Sequence, residues 1–533
     1  MLRFGTAGLR GPLRDGPDGM NVETVARATA GLAGWLRDRC LGGGLVVVGR
    51  DARHGSAEFA TVTAEVLAAA GFSVLSLPRP LPTPVLAFAV REVGAVAGVQ
   101  ITASHNPAGD NGYKVYLEGG RQLVPPSDAE IERCIEAVRE PIPRADPGPT
   151  APGPTALTLS VGATVTDMGE EIVRRYLARV ASLPHVLGGP DTGAGLPVST
   201  ARTADRGTAR RGDLRIALTP MHGVGGEPAV TALHAAGFTD VHVVVEQFAP
   251  DPDFPTVPFP NPEEPGAADL LLELAERVGA DIAVALDPDA DRCAIGVPGP
   301  DGWRMLRGDH TGVLLADYVL RTAPPDALVA TTVVSSRLLR ELAPARGARY
   351  AETLTGFKWL ARAGEGLVYA YEEAIGHCVD PASVRDKDGV SAAVAAADLM
   401  ARLRAAGQHP LDILDDYALR FGLHAGDQVS VRLAGQDAAA DVVARLRDTP
   451  PEMIAGTPVT CTDLAQARGG LRTDALIFEG ESQRIVIRPS GTEPKLKCYL
   501  EVVQPVSSAA ALADAKRAAA QRLSELREYC EKL

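Results

Sequence analysis

The chain has 533 residues, 46% of them hydrophobic and 23% charged, and carries a net charge of −14. That length supports three or four domains with cores of their own. The acidic balance excludes a nucleic-acid footprint, yet leaves room for a local phosphate pocket of Arg, Lys and backbone N–H groups.

In chain order, Asn21 is placed to cap a helix whose Val25, Leu32 and Leu36 share a face, ended by the glycines at 42–44. Residues 45–48 are an apolar strand that delivers Gly49-Arg50-Asp51. Ser56 is placed to cap a helix over 57–70, and 72–77 is the next strand; strand, helix and strand predict a mostly parallel sheet. A helix at 85–90 leads to the apolar run Val96, Ala97, Val99 and Ile101. That run breaks into the polar turn of Thr102, Ser104, His105, Asn106 and Pro107, with Asp110-Asn111-Gly112 and Lys114 behind it. Residues 139–167 read as a Pro/Gly/Thr-rich linker, 170–180 as helix, and 188–212 as loop. A second block has strands at 214–218, 241–245 and 281–286, with Met221-His222-Gly223 and a Pro-rich loop, 250–265, between them. A third spans about 308–407, with strands at 327–334, 349–353 and 367–371 and an Ala-rich helix at 390–406. The last block, with an alternating strand at 484–488 and an amphipathic helix from about Ser508, reads as a smaller α+β domain. The three α/β blocks suggest a structural repeat without a sequence period.

The seven cysteines are scattered, with no CxxC pair, and read as reduced thiols of a cytoplasmic protein. The start, MLRFGTAGLRG, lacks the apolar run of a signal peptide, and no stretch has the composition of a membrane span.

Four stretches carry chemistry. Ser104 sits in a polar turn at a strand end, where open α/β sheets bind ligands, and reads as a nucleophile carrying a phosphoryl group. Asp287, Asp289 and Asp291 follow an apolar strand at alternate positions, a spacing that lets three carboxylates share one Mg²⁺. An EF-hand is excluded by Arg292 at its sixth position and Pro298 at its twelfth. Arg292 would neutralise a phosphate bridging to the ion. The run Arg488-Pro489-Ser490-Gly491-Thr492-Glu493-Pro494, with Lys495 and Lys497 behind it, has the makings of a phosphate cradle. Glu372 and Glu373 end a strand, where paired carboxylates can meet sugar hydroxyls, and Arg385, Lys387 and Asp388 follow. Thr355-Gly356-Phe357-Lys358 offers one more cation for a ligand. His105 and His222 stand out among the histidines because each lies in a strand-end turn beside other polar groups.

In their order, TASHNP, DPDADR, EEAIG and RPSGTEP resemble the α-D-phosphohexomutase family, over nearly the whole chain. FGTAGLRG, FPTVPFPNPEEP, TLTGFKWL and DKDGVSAAV are similar to its phosphopentomutase and glucose-1,6-bisphosphate synthase branch. The resemblance implies four domains around a central cleft, three related α/β domains and a C-terminal α+β domain, here set at 1–168, 169–300, 301–415 and 416–533. It implies a phosphorylated Ser104, and Mg²⁺ held by that group with Asp287, Asp289 and Asp291. Arg10, His105, Lys114 and Arg292 would line the reacting centre, with Lys114 as general acid/base. Thr355, Gly356, Lys358, Glu372, Arg385 and Lys387 would bind the sugar phosphate; Arg488, Ser490, Gly491, Thr492 and Lys497 would hold the phosphate that is not reacting.

The implied reaction moves a phosphoryl group between position 1 and position 6 of a hexose, or 5 of a pentose, through a sugar bisphosphate. A phosphoglucomutase/phosphomannomutase type is expected, with phosphopentomutase or bisphosphate synthase as alternatives and a serine-dependent sugar phosphatase outside the mutases. The partner is a small phosphosugar, and the protein is expected as a monomer or homodimer. Ala374 stands where many relatives have Ser, which leaves room for a pentose. The chain starts three residues before FGTAGLRG, where the similar branch carries a helical extension, and residues 147–166 and 188–212 read as insertions.

Overall fold

The computed structural model describes residues 2–146, 165–188, 211–433, 436–467, 470–489 and 495–533. Residues 2–146 supply β1 (Leu9–Pro12), β2 (Leu45–Arg50), β3 (Ser73–Ser76), β4 (Ala97–Ile101), β5 (Asp110–Leu117) and β6 (Arg121–Gln122). Helices α1 (Val22–Asp38), α2 (Ser56–Ala69) and α3 (Thr83–Glu92) connect the first of them. Asn21 caps α1 as expected, its side chain accepting from Thr24 N. Ser56 does not cap α2: Gly55, in the left-handed region, precedes the helix, and the Ser56 hydroxyl donates to Asp51 Oδ1 at 2.6 Å.

The second block supplies β7 (Arg215–Thr219), β8 (Asp240–Val243), β9 (Ile282–Leu286), β10 (Cys293–Gly299) and β11 (Gly302–Met305). The third supplies β12 (Leu328–Thr332), β13 (Arg349–Thr353), β14 (Leu367–Glu372) and β15 (Gly376–Cys378). The sheet orders are β1-β5-β4-β2-β3, β11-β10-β9-β7-β8 and β13-β12-β14-β15. Each contains a parallel trio with its first strand in the centre, and in each the third strand turns back into an antiparallel partner. The central strands are apolar because helices cover both faces.

This shared topology positions the chemistry. Ser104 follows β4, the aspartates follow β9, and Glu372–Ile375 follow β14, so all three turns leave the third strand of their sheet. Each turn holds one non-glycine residue in the left-handed region: Ser104 (φ 55°), Ala290 (φ 52°) and Ile375 (φ 53°). Such a conformation costs about 1–3 kcal/mol and persists only where neighbours fix it.

The helix Val165–Leu187 runs across residue 168 and binds the three blocks together. Its buried Val173, Tyr176, Val180 and Leu183 recur at helical spacing. They face α3 and the helices Gly226–Ala235 and Gly389–Ala405, and one apolar cluster runs unbroken from Val47 through Leu218 to Tyr369. Likewise β11 lies beyond residue 300 yet belongs to the second sheet, and the helix Pro410–Phe421 crosses 415.

The fourth domain has its own core around Val429, Phe478, Ile485 and Leu500. Its antiparallel sheet comprises β16 (Leu423–Arg432) and, after the hairpin of β17 (Met453–Ile454) and β18 (Thr457–Pro458), β19 (Thr460–Asp463), β20 (Leu476–Glu479), β21 (Gln483–Pro489) and β22 (Lys495–Gln504). The terminal helix, Leu512–Glu531, packs on it. Among the described residues no helix is long and apolar enough to cross a membrane. Most of 147–166 and 188–212 lies outside the described residues.

Candidate active site

Ser104 is buried, and its Oγ donates to Asp287 Oδ2 at 3.0 Å, joining the first domain to the metal loop. Its N–H donates to Thr102 Oγ1, and its carbonyl accepts from Arg53 Nη2 at 2.6 Å. The same guanidinium donates to the carbonyls of Asn106, Pro107 and Asp110, and its Nε faces Asp51 at 3.3 Å. Arg53 therefore gathers the carbonyls of the serine turn and holds Ser104 in its unfavourable conformation.

Asp287, Asp289 and Asp291 are fully buried, with one carboxylate oxygen from each lying within 4.8 Å of the others. Lys114, on β5, donates to Asp289 Oδ2 (2.6 Å) and Asp291 Oδ2 (2.9 Å), and Lys387 reaches Asp291 Oδ2 at 3.3 Å. Thr83 Oγ1 adds a 2.6 Å bond to Asp289 Oδ2, and Arg292 N donates to Asp287 Oδ1. Asp289 Oδ1 and Asp291 Oδ1 are buried without a hydrogen-bond partner among the described residues. Arg292 Nε offsets Asp291 Oδ1 only from 3.8 Å; buried anionic oxygens without a hydrogen bond are costly, and this donor set fits a hard divalent cation. Burial, reinforced by the other two aspartates, pushes the Asp287 carboxyl well up.

Glycines let the metal loop pack closely. A Cβ on Gly223 would lie 2.3 Å from Pro288 Cα, and one on Gly389 would lie 2.4 Å from the Arg292 carbonyl. Val224 N donates to the Pro288 carbonyl, Gly389 N to that of Ala290, and Cys293 N to that of Ile375. The aspartate turn, 287–292, is thereby fastened to the turn after β14 and to Gly389.

Beside these loops lies a cleft of about 790 Å³ between the domains, lined by His105, Glu263, Arg292, Arg307, Asp309, Thr355, Gly356, Glu372, Glu373, Ala374, Arg488 and Lys497, among others. Burial, with Arg292 and Arg10 nearby, holds the His105 imidazole well below its ordinary pKa, so it is neutral at pH 7. Burial disfavours the Lys114 charge, but Asp289 and Asp291 outweigh it and raise its pKa. The same contest, against Glu372 and Asp291, keeps Arg292 protonated. Arg10, on β1, donates to Asn106 Oδ1 at 3.1 Å. Burial raises Glu372, against Lys387 and Arg292. Arg488 Nη2 donates to Tyr499 OH at 3.2 Å, while its Nε is buried and unpaired among the described residues.

The structure spreads some sequence candidates differently. Lys358 Nζ donates to Thr6 Oγ1 in the first domain and does not line the cleft. Lys387 pairs with Asp291 and Asp386. Arg385 is half-buried and off the cleft lining. His222 props the Pro-rich loop through Thr256 Oγ1, at 2.9 Å, and is not in the cleft. Ser490, Gly491 and Thr492 lie outside the described residues. The sequence reading missed Arg53 and Thr83. Arg53 left one trace, its place in the polar run that follows β2; Thr83, between two prolines, left none.

Comparison with known proteins agrees with this order of domains. Family models for phosphoglucomutase/phosphomannomutase α/β/α domains I, II and III match residues 1–141, 199–299 and 307–418, and that for the C-terminal domain matches 429–519. A probable phosphomannomutase of Haemophilus influenzae is 38% identical over 493 residues, which cover 91% of this chain and 93% of that protein. A phosphoribomutase of Saccharomyces cerevisiae is 33% identical over 559 residues, covering 94% and 86%. Among solved structures, the open form of the exocytosis-sensitive phosphoprotein parafusin, a phosphoglucomutase from Paramecium, shares the fold. Its TM-score is 0.69 at 20% identity, with 99% of this chain and 94% of that chain covered. Four domain models in order, and relatives alike over almost their full length, establish that the chain belongs to the phosphoglucomutase/phosphomannomutase family of phosphosugar mutases.

Proposed function

We propose that this phosphosugar mutase carries its phosphoryl group on Ser104 and passes it between position 1 and position 6 of a hexose, or 5 of a pentose, through a bound bisphosphate. The observation that carries the reading is the 3.0 Å contact of Ser104 Oγ with Asp287 beside a cation-lined cleft. Asp287, Asp289, Asp291 and the phosphoryl on Ser104 would hold Mg²⁺, which when bound offsets charge on the transferring oxygens.

The protein's own groups do the rest. Arg292 stays cationic beside Asp291 and faces the cleft, where it neutralises the phosphoryl in flight. Lys114, held charged between two aspartates, serves as general acid and can act as base only after it has given that proton to the sugar oxygen, and neutral His105 is free to accept a hydrogen bond from the substrate. Glu372 takes sugar hydroxyls, and Arg488 with Lys497 holds the distal phosphate from across the cleft. A roomy cleft with one fixed phosphate end suits a bisphosphate that must turn between its two transfers. The distal cradle argues against a simple phosphatase. The free state of all seven cysteines supports a reducing, cytoplasmic setting.

The relatives are named for mannose and for ribose phosphates, so the sugar is a matter for assay. Intact-mass measurement should find one added phosphate, absent in Ser104→Ala; an active Ser104→Ala protein would sink the mechanism. A panel of glucose, mannose, ribose and deoxyribose 1-phosphates, with and without bisphosphate, ranks the sugars. Given Ala374, a broad or pentose-leaning profile is expected.

A further inference from the structure

Thr83 is the first residue of α3 and is fully buried. The residue before it is Pro82, which has no side chain to cap the helix, and Pro84 follows. The opening N–H of such a helix needs an acceptor from elsewhere. Thr83 N finds it in the main-chain carbonyl of Asp289 at 2.9 Å, and Thr83 Oγ1 donates to Asp289 Oδ2 at 2.6 Å. One residue of the first domain thus grips both the backbone and the carboxylate of one residue of the second, 206 positions away.

Other buried threonines of the first domain behave otherwise. Thr29 and Thr63 return their hydroxyls to carbonyls four residues back in their own helices. Thr83, at a helix start, has no such carbonyl within its helix and spends its hydroxyl across the domain boundary. The result is asymmetric at Asp289. Oδ2 takes Thr83 and Lys114, while Oδ1 is buried with no partner among the described residues.

We infer that Thr83 is a positioning residue for the metal centre, fixing the Asp289 carboxylate so that one oxygen is engaged by protein donors and the other is left for the cation. The inference rests on the reading of Asp287, Asp289 and Asp291 as the cation site. Hydrogen-bond partners behind metal ligands change affinity about 10–100-fold when removed. The N-terminus of α3 adds its positive end at the same carboxylate.

The test is binding of Mn²⁺ to the full-length protein without sugar, followed by electron paramagnetic resonance. Thr83→Val keeps the shape and the backbone clamp but loses the hydroxyl; it should weaken Mn²⁺ binding about 10–100-fold. Thr83→Ser should bind like the wild type. If the valine variant does not fold, Thr83→Ala compared with Thr83→Ser reads the same difference. With saturating metal, KM for the sugar phosphate should be unchanged. Wild-type affinity in Thr83→Val or Thr83→Ala overturns the inference alone. A wild-type protein that binds no Mn²⁺, or an Asp289→Asn variant that binds it undiminished, overturns the metal reading and this inference with it.

Discussion

Arg53 Nη2 donates to the main-chain carbonyl of Ser104 across 2.6 Å, so the candidate nucleophile is held by its backbone from a neighbouring strand end. The guanidinium also reaches Asn106, Pro107 and Asp110 and lies 4.8 Å from the Phe254 ring centroid. Lysine keeps the charge but lacks the planar fork that serves these acceptors together. Arg53→Lys should lower stability by about 2–4 kcal/mol. It should also cut kcat about 100-fold through a displaced Ser104. Denaturant melts and the rate of phosphate loading by mass spectrometry read both; full-rate loading would remove Arg53 from the positioning of Ser104.

Three buried carboxylates, two of whose oxygens lack a hydrogen bond among the described residues, would make a cation a ligand of the folded state alone. Mg²⁺ added to metal-free protein should raise Tm in proportion to the logarithm of its concentration above Kd, contributing about 2.7 kcal/mol at one hundred times its Kd. Asp291→Asn should blunt the rise. A Tm indifferent to Mg²⁺ in the unmodified protein would count against the site.

Ala374 lines the cleft between Glu373 and Ile375. Glu373 is already engaged, its Oε2 accepting from Thr332 Oγ1 and Ser335 Oγ, each at 3.0 Å. Restoring a hydroxyl with Ala374→Ser should raise kcat/KM for glucose 1-phosphate relative to ribose 1-phosphate about tenfold, the value of one hydrogen bond. Direct competition between the two sugars measures the ratio, and an unchanged ratio removes Ala374 from specificity.

Glu501 fastens the fourth domain to the third. It accepts from Ser336 Oγ (2.9 Å), Arg337 N (2.8 Å) and Arg337 Nε (2.6 Å), and meets His424 Nδ1 at 3.0 Å. Burial alone would raise its pKa, but His424 and Arg337 pull it down from an ordinary 4.5 to about 2. A carboxyl depressed on folding stabilises fully above its unfolded value. That contribution should hold above about pH 4.5 and drain away as pH falls toward 2. Glu501→Gln should abolish this part of the acid slope and cost about 3 kcal/mol near neutrality. Urea melts across pH check it; an unaltered slope would assign acid sensitivity elsewhere.

What the sequence made legible was local. Ser104, the aspartate triplet and Glu372 each follow an apolar run directly, so strand and site are written in one stretch. The same holds for the parallel trios, whose spacing of strands and helices is contiguous. Strand β5 escaped because Asn111, Gly112 and Lys114 break its alternation, although its pairing with β4 buries Tyr113 and Tyr116 completely. Arg53 and Thr83 escaped for a different reason. Their partners lie 51 and 206 residues away, and no periodicity encodes such a contact. The position of Lys358 on Thr6 was hidden in the same way, since domain packing alone brings residues 352 apart together.

The metal loop takes bonds from Thr83 on one side and Gly389 on the other, so its shape belongs to no single domain. Its aspartates can therefore reach their working arrangement only after distant parts of the chain have found one another, a late event because long loops close slowly. Partly folded molecules, even with every sheet formed, should be catalytically silent. During refolding, recovery of far-UV ellipticity should run ahead of recovery of turnover, and the lag between them times the assembly of this loop.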